Sequence, residues 1–226
     1  MRIDKTYRGG VRERQFCTWL LALAAVVISL SALTQAQGDQ IWNDLETGNR
    51  RFVAGKSESR DLVSRRKELA KTQAPRVAVL SCADSRVPPE LVFDKSLGDL
   101  FVVRSAGESA DPLAIGSLEY AVEHLGTVAI VVMGHQSCGA VKAACSGGKA
   151  ESPNLEAVVA PITASCKKVD KSKPETLDLA VRDHVHSVAQ ELLAKSVILK
   201  HAASEGKLTI IEAYYSLDTG EVTKLR

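Results

Sequence analysis

The stretch Arg76-Val77-Ala78-Val79-Leu80-Ser81, running into Cys82-Ala83-Asp84-Ser85-Arg86-Val87-Pro88-Pro89-Glu90, decides how this chain folds. Its valines and leucine fall on both parities, so neither face of the strand they form can be left to water. A short strand apolar on both faces belongs in a parallel sheet covered by helices on each side. The same pattern recurs downstream. Phe101 to Val103 and Val128 to Met133 read as further strands, and Leu208 to Tyr215 as a last one that ends in the turn Leu217-Asp218-Thr219-Gly220. Helical patterns lie between and before them. Ile41, Trp42, Leu45 and Phe52 recur at helical spacing behind Asp39, a capping residue type, with Gly55 as the stop, and a second helix is predicted over Asp61 to Lys71. Asp111-Pro112 is a cap followed by proline at the first helical position, with Leu113, Leu118, Val122 and Leu125 lining one face up to Gly126. Asn154 to Lys167 and Leu177 to Lys195 complete the helices. Strand and helix alternate, which predicts an α/β fold with a mainly parallel β-sheet flanked by helices.

The chain has 226 residues, 45% of them hydrophobic and 25% charged, which suits one domain with a full core and excludes a disordered or fibrous chain. With 29 Lys+Arg against 27 Asp+Glu the net charge is +2, and no basic cluster is interleaved with aromatics, so nucleic acid is not an expected partner. The first 36 residues differ from the rest. Arg2, Lys5, Arg8, Arg12 and Arg14 precede an apolar stretch from Trp19 to Ile28, and small or polar residues follow up to Ala36. This pattern predicts a signal peptide over 1–36, cut before Gln37 with Thr34 and Ala36 at the −3 and −1 places, and a periplasmic domain over 37–226. No twin-Arg pair precedes the apolar stretch, which favours the Sec route. The looser run from Cys17 to Leu33 leaves an uncleaved anchor in the inner membrane as the alternative. The leader carries five basic and two acidic side chains, so the remainder has a net charge of −1.

In an open α/β sheet the ligand site lies outside the carboxyl ends of the strands. Two strands end in unusual loops here, Cys82 to Glu90 and Gly134-His135-Gln136-Ser137-Cys138-Gly139-Ala140. If these strands are neighbours, Cys82, His135 and Cys138 converge. His135 and Cys138, at i and i+3 where a helix begins, can chelate one ion, and Cys82 adds a third ligand. Two thiolates and an imidazole leave an open place on a tetrahedral Zn²⁺, the pattern of a catalytic site. Taken singly, a strand-end cysteine is usually a small apolar residue and Asp84-x-Arg86 a structural ion pair. Three soft ligands and a charged dyad at two strand ends are a different matter.

On these residues the chain resembles the β-class carbonic anhydrases. Cys82-Ala83-Asp84-Ser85-Arg86 is similar to that family's first metal loop, and Gly134-His135-x-x-Cys138-Gly139 to its second. The likeness extends through Gly98 to Arg104, Ser117 to Val122, and Ala213-Tyr214-Tyr215 with its Asp218-Thr219-Gly220 turn. It implies a β-carbonic-anhydrase-like catalytic domain holding one Zn²⁺ per chain, hydrating CO2 reversibly to bicarbonate and a proton by zinc-bound hydroxide. It also implies a homodimer or a dimer of dimers. Asp84 is the expected catalytic acceptor beside the bound water, held ionised by Arg86, and in similar enzymes the same aspartate can instead take the fourth zinc position. The resemblance offers Gln73, Val87, Gly107 and Tyr120 as substrate-binding residues, with Tyr120 reaching the pocket from the neighbouring subunit. A solvated glutamine and a core tyrosine are the plainer readings of Gln73 and Tyr120.

Two departures stand out. Relatives commonly show amides where this chain has Ser105 and Glu108 in Arg104-Ser105-Ala106-Gly107-Glu108. Some relatives also carry a tryptophan three residues before the first metal cysteine, at a secondary bicarbonate site, where this chain has Val79; the resemblance then implies an enzyme without that control. A carbonyl sulfide or carbon disulfide hydrolase on the same site, and a non-catalytic zinc-binding protein, are the alternative functions. His184 and His186, at i and i+2 beside Asp183, do not face one another on a helix and read as a solvated face. Cys145 and Cys166 lie outside the metal loops; an oxidising compartment would let them pair, and two free buried thiols are the alternative.

Overall fold

The computed structural model describes residues 36–170, 173 and 175–226. The predicted leader lies outside the described residues except for residue 36. Helical residues 36–53 (α1) lead to α2 (Leu62–Glu68), β1 (Val77–Cys82), α3 (Pro89–Val92) and β2 (Leu100–Ser105). Next come α4 (Pro112–Leu125), β3 (Ala129–His135), α5 (Gly139–Ser146), α6 (Pro153–Val159) and α7 (Thr163–Lys168). The chain closes with α8 (Thr176–Lys195), α9 (Val197–Ser204), β4 (Thr209–Tyr215) and β5 (Val222–Lys224). The strands form one sheet in the order β2-β1-β3-β4-β5, parallel except for β5, which runs antiparallel to β4.

The apolar run that opened the sequence is the middle of this sheet. All six residues of β1 are buried. Its alternate side chains enter two separate clusters: Val77 and Val79 join Ile41, Trp42 and Leu45 of α1, while Ala78 and Leu80 join residues of α4, α8 and α9. Each fully buried valine or leucine contributes about 2 kcal/mol through area removed from water, which is why both parities had to be apolar. Val79, where some relatives place an indole donor, is wholly buried in the first cluster.

Three local expectations change. Asp39 does not cap its helix, because helical residues begin at 36; its carboxylate instead pairs with Lys224 Nζ at 2.9 Å. The helix expected over Asn154 to Lys167 is divided into α6, a 3₁₀ turn (Ala160–Ile162) and α7, at Pro161, which has no backbone N–H to continue the ladder. Asp61 does cap α2, accepting hydrogen bonds from the Val63 and Ser64 amides, but the segment tightens into a 3₁₀ turn from Leu69. Asp111 caps α4 as expected, with Gly126 in the left-handed conformation at its end.

Polar contacts fasten α1 to the loops beside the sheet. Asn49, buried, donates to Val92 O at 3.0 Å and Gly220 O at 2.8 Å and accepts from the Val222 amide at 2.9 Å. One residue earlier, a Cβ on Gly48 would stand 1.8 Å from Phe93 O, so only glycine permits this approach. Asp94, with its carboxylate buried, receives Arg51 Nε at 2.5 Å, Arg60 Nη1 at 2.7 Å and the Glu58 amide at 3.3 Å. Burial alone would raise its pKa, but these donors win and hold it at about 2. A depressed folded-state pKa contributes stability that is present above the unfolded carboxyl's value, near 4, and is lost as pH falls toward 2. Asp94→Asn is therefore expected to cost about 2 kcal/mol at pH 7 and to converge on the wild type near pH 2 in denaturant titrations. A deficit independent of pH would show that the ion pairs are not its source.

Cys145 in α5 and Cys166 in α7 form a disulfide that closes a 21-residue separation. In the chain-entropy account, closing a loop of that length stabilises the fold by about 3 kcal/mol. Replacing both residues with serine should lower the unfolding free energy by that amount in a denaturant titration, and an unchanged midpoint would contradict a stabilising bridge.

Candidate metal centre

From β1 the chain turns one way in the sheet, to β2, whereas from β3 it turns the other way, to β4. The carboxyl ends of β1 and β3 thus flank the point where strand order reverses, the crevice where open α/β sheets bind ligands. Cys82 is the last residue of β1 and His135 the last of β3, and Cys138 caps the amino end of α5 three residues later. Ser137 adopts φ 55°, the left-handed turn that brings Cys138 back over the strand ends.

The three ligand atoms of Cys82, His135 and Cys138 lie within 4.8 Å of one another, and all three residues are buried. The two sulfurs are 3.9 Å apart. Thiolates bound to one tetrahedral zinc at about 2.3 Å stand about 3.8 Å from each other, so the spacing fits the ion. His135 Nδ1–H donates to Gln136 O at 2.9 Å, and its Nε2 is buried with no hydrogen-bond partner among the described residues. With Nδ1 as the donor, Nε2 is the nitrogen placed to offer a lone pair to a metal. The second loop is itself anchored: Gln136 donates to Asp218 at 2.6 Å and accepts the Asp218 amide at 3.0 Å, so the Asp218-Thr219-Gly220 turn holds the loop that carries two ligands.

The charges follow from the contacts. The Cys82 thiol is lowered to about 4, first by the hydrogen bond from Cys138, against burial, and then by His135 and the Gly107 and Asp84 amides. Cys138 is driven up by donating to Cys82, by burial and by Glu108. The two sulfurs therefore share one proton, which a bound cation would displace.

Asp84 stands beside this group. Arg86 grips its carboxylate through Nε at 2.9 Å and Nη2 at 2.7 Å, with the Arg86 amide adding a third donor at 3.0 Å. These bonds hold the carboxyl far below the usual range, so it is ionised at any working pH. Its Oδ2 lies 3.9 Å from His135 Nε2. The sequence reading allowed Asp84 as a fourth ligand; in this structure Arg86 engages both of its oxygens, and the residues whose donor atoms gather within 4.8 Å are Cys82, His135 and Cys138.

The other candidates are not gathered at one point. Gly107 lies against the centre, with φ 73° and its N–H 3.4 Å from Cys82 Sγ. Val87 is 1% exposed and packs into the apolar cluster that includes both ligand cysteines. Gln73 and Tyr120 instead share an exposed groove with Lys71 and His124, and no metal-centre residue lines it. Tyr120 is 48% exposed rather than core, with its ring 6.4 Å from that of Phe101 in β2.

Sequence reading missed three contributors. Arg104 holds the first loop from behind, donating to Cys82 O at 3.0 Å and Asp84 O at 2.5 Å. Glu108, noted as a departure, is fully buried with φ 34° and neither carboxylate oxygen partnered among the described residues. Burial and then the Cys82 charge push it well above the carboxylate range, so it is neutral. His184, read as solvated, is 1% exposed. Its helical phase was the available signal: with Ala180, Val181, Val185 and Val188 it forms the buried stripe of α8.

Comparison with known proteins agrees with this geometry. The carbonic anhydrase family profile matches residues 77–222. Carbonic anhydrase 2 of Mycobacterium tuberculosis is 39% identical over 183 residues, which is 79% of this chain and 88% of that protein. The carbonic anhydrase of Mycolicibacterium smegmatis is 38% identical over 185 residues, 80% of this chain and 90% of that protein. Among solved structures, the Coccomyxa β-carbonic anhydrase in complex with acetazolamide superposes with a TM-score of 0.63 at 25% identity, covering 87% of this chain and 86% of that one. A tetrameric β-carbonic anhydrase of Sordaria macrospora gives 0.64 at 24% identity over 70% and 84% of the two chains. With a five-stranded sheet that sets two cysteines and a histidine at its switch point, and with relatives this similar over most of its length, the chain belongs to the β-class carbonic anhydrase family.

Proposed function

We propose that this protein catalyses the reversible hydration of CO2 to bicarbonate and a proton, with one Zn²⁺ per chain held by Cys82, His135 and Cys138. The observation that carries the reading is the pair of buried sulfurs at 3.9 Å facing an unpartnered His135 Nε2. A metal store would need nothing more, whereas here an ionised carboxylate is also fixed beside the group. Zinc bound there supplies Lewis acidity that makes water acidic enough near neutral pH to provide the nucleophile. Asp84 accepts the hydrogen bond that orients this water, and Arg86 keeps the acceptor charged and aimed. His135 is held in one orientation, with Nδ1 as the donor, by its bond to Gln136 O. The low-exposure walls around the sulfurs, Val87 and Val141 among them, suit a small apolar substrate.

Two thiolates donate more charge than two imidazoles, so the water should ionise late and activity should rise with pH. Because Asp84 is ionised throughout, it adds no step of its own to that profile. Stopped-flow hydration is expected to climb between pH 6.5 and 9, and Asp84→Asn to lose about 100-fold while keeping one zinc per chain. A flat wild-type profile, or an Asp84→Asn variant as fast as the wild type, would overturn these roles.

The enzyme is proposed to act as an even oligomer outside the cytoplasm. β2 is an edge strand, and beside it α4 exposes Leu113 at 84% and Tyr120 at 48%, an apolar margin that a second copy would cover. Gln73 and Tyr120, remote from their own chain's ligands, would then serve a partner's pocket. The Cys145–Cys166 disulfide is at home in an oxidising compartment and supports export. Among the described residues no helix is long and apolar enough to cross a membrane. Exported protein should show a mass beginning at Gln37 and scatter light as a dimer or tetramer; Tyr120→Asp should shift it toward monomer. A monomeric wild type with full activity would contradict the shared pocket.

A further inference from the structure

Gly107 is pinned from two sides. Its N–H points at Cys82 Sγ at 3.4 Å, and its C=O accepts a hydrogen bond from His184 Nε2 at 2.8 Å. His184 comes from the middle of α8, 77 residues downstream, and is 1% exposed. A carbonyl can only accept, so the bond fixes His184 as the tautomer protonated on Nε2. Its Nδ1 is buried without a hydrogen-bond partner among the described residues. Burial also keeps the ring neutral. Only glycine suits this place: φ 73° is a conformation that side chains rarely adopt, and a Cβ would meet Ile162 Cδ1 at 2.6 Å and Ala140 Cβ at 3.0 Å. Inside the turn the Ser109 hydroxyl donates to the same carbonyl at 3.4 Å and the Glu108 amide to Ser105 O at 3.2 Å; His184 makes the shorter bond and is the donor that reaches this carbonyl from another element.

We infer that His184 is a positioning residue for the metal centre, holding Gly107 so that its N–H stays aimed at the Cys82 sulfur. The chain of contacts runs from α8 through the 105–108 turn to one ligand, and it joins an element that carries no ligand to the thiolate that carries most charge. A hydrogen bond from an amide to a metal-bound sulfur disperses that charge and fixes the direction of its lone pairs. Loss of outer partners of this type commonly costs 10–100-fold in metal affinity. Val181 and Val185 flank His184 on the same helix and pack where a Gly134 Cβ would fall, at 2.7 and 2.6 Å, so α8 is locked against β3 and delivers the imidazole at a fixed height.

This inference rests on the zinc reading above. The test compares His184→Met, which keeps bulk and loses the donor, with His184→Gln, which retains an N–H at similar reach. Val188→Ala, a buried change in the same helix away from the centre, controls for loosened packing. Each protein is loaded with zinc, and the rate of its release to excess chelator is measured, together with the thiolate-to-metal absorption of the cobalt-loaded form. His184→Met should release zinc at least about 10-fold faster and shift the cobalt absorption, with His184→Gln close to wild type and Val188→Ala unchanged in both. Release from His184→Met at the wild-type rate, or equal acceleration in all three variants, would overturn the positioning role while leaving the zinc site standing. Wild-type protein that takes up no zinc would overturn both readings.

Discussion

Two sulfur atoms held 3.9 Å apart in a water-poor site cannot both carry charge unless a cation lies between them. Much of the structure around the centre exists to keep them there. Cys82 is fixed by its strand, since β1 pairs in parallel with both β2 and β3 and has no freedom to slide without exposing one of its apolar faces. Cys138 is fixed by a left-handed turn and a helix start. α5 is then tied by the Cys145 disulfide to α7, which with the preceding 3₁₀ turn brings Ile162 against Gly107.

Around this pair the polar groups divide into two kinds. One kind faces outward and is satisfied by strong partners: Asp84 on Arg86, Gln136 on Asp218, and the carbonyls of Cys82 and Asp84 on Arg104. These set direction. The other kind is buried and short of partners: His135 Nε2, the Glu108 carboxyl and His184 Nδ1. An unpartnered buried polar atom costs free energy, so its presence requires an explanation. For His135 the proposed zinc ion supplies one. For Glu108 it is neutrality, because a carboxyl pushed upward by burial avoids placing another negative charge beside two sulfurs.

Sequence reading located the Cys-His-Cys group because metal chemistry restricts which residues can serve. Cys82, His135 and Cys138 are soft donors at the ends of apolar runs, and the strands could be read from valines and leucines that recur on both parities. It failed where the deciding fact was which side of an element meets the interior. His184 and His186 look alike in the chain, one two residues from the other; the first lies in the stripe of α8 turned to the core and the second beside Glu212 at 2.9 Å, near the surface. Pro161 should have signalled the break between α6 and α7, and the apolar spacing on either side concealed it.

What the sequence determined by itself was the class of fold, the choice of Cys82, His135 and Cys138 as a candidate metal group and the dyad beside them, because each depends on residue type and local spacing. Only the tertiary structure decided that β1 and β3 are neighbours with their ends at the switch point, that Cys145 meets Cys166, and that Gln73 and Tyr120 stand together away from the ligands of their own chain. Those facts depend on the crossing of helices over the sheet. Contacts between residues dozens of positions apart are set by the packing of whole faces, and no short stretch of the chain encodes them.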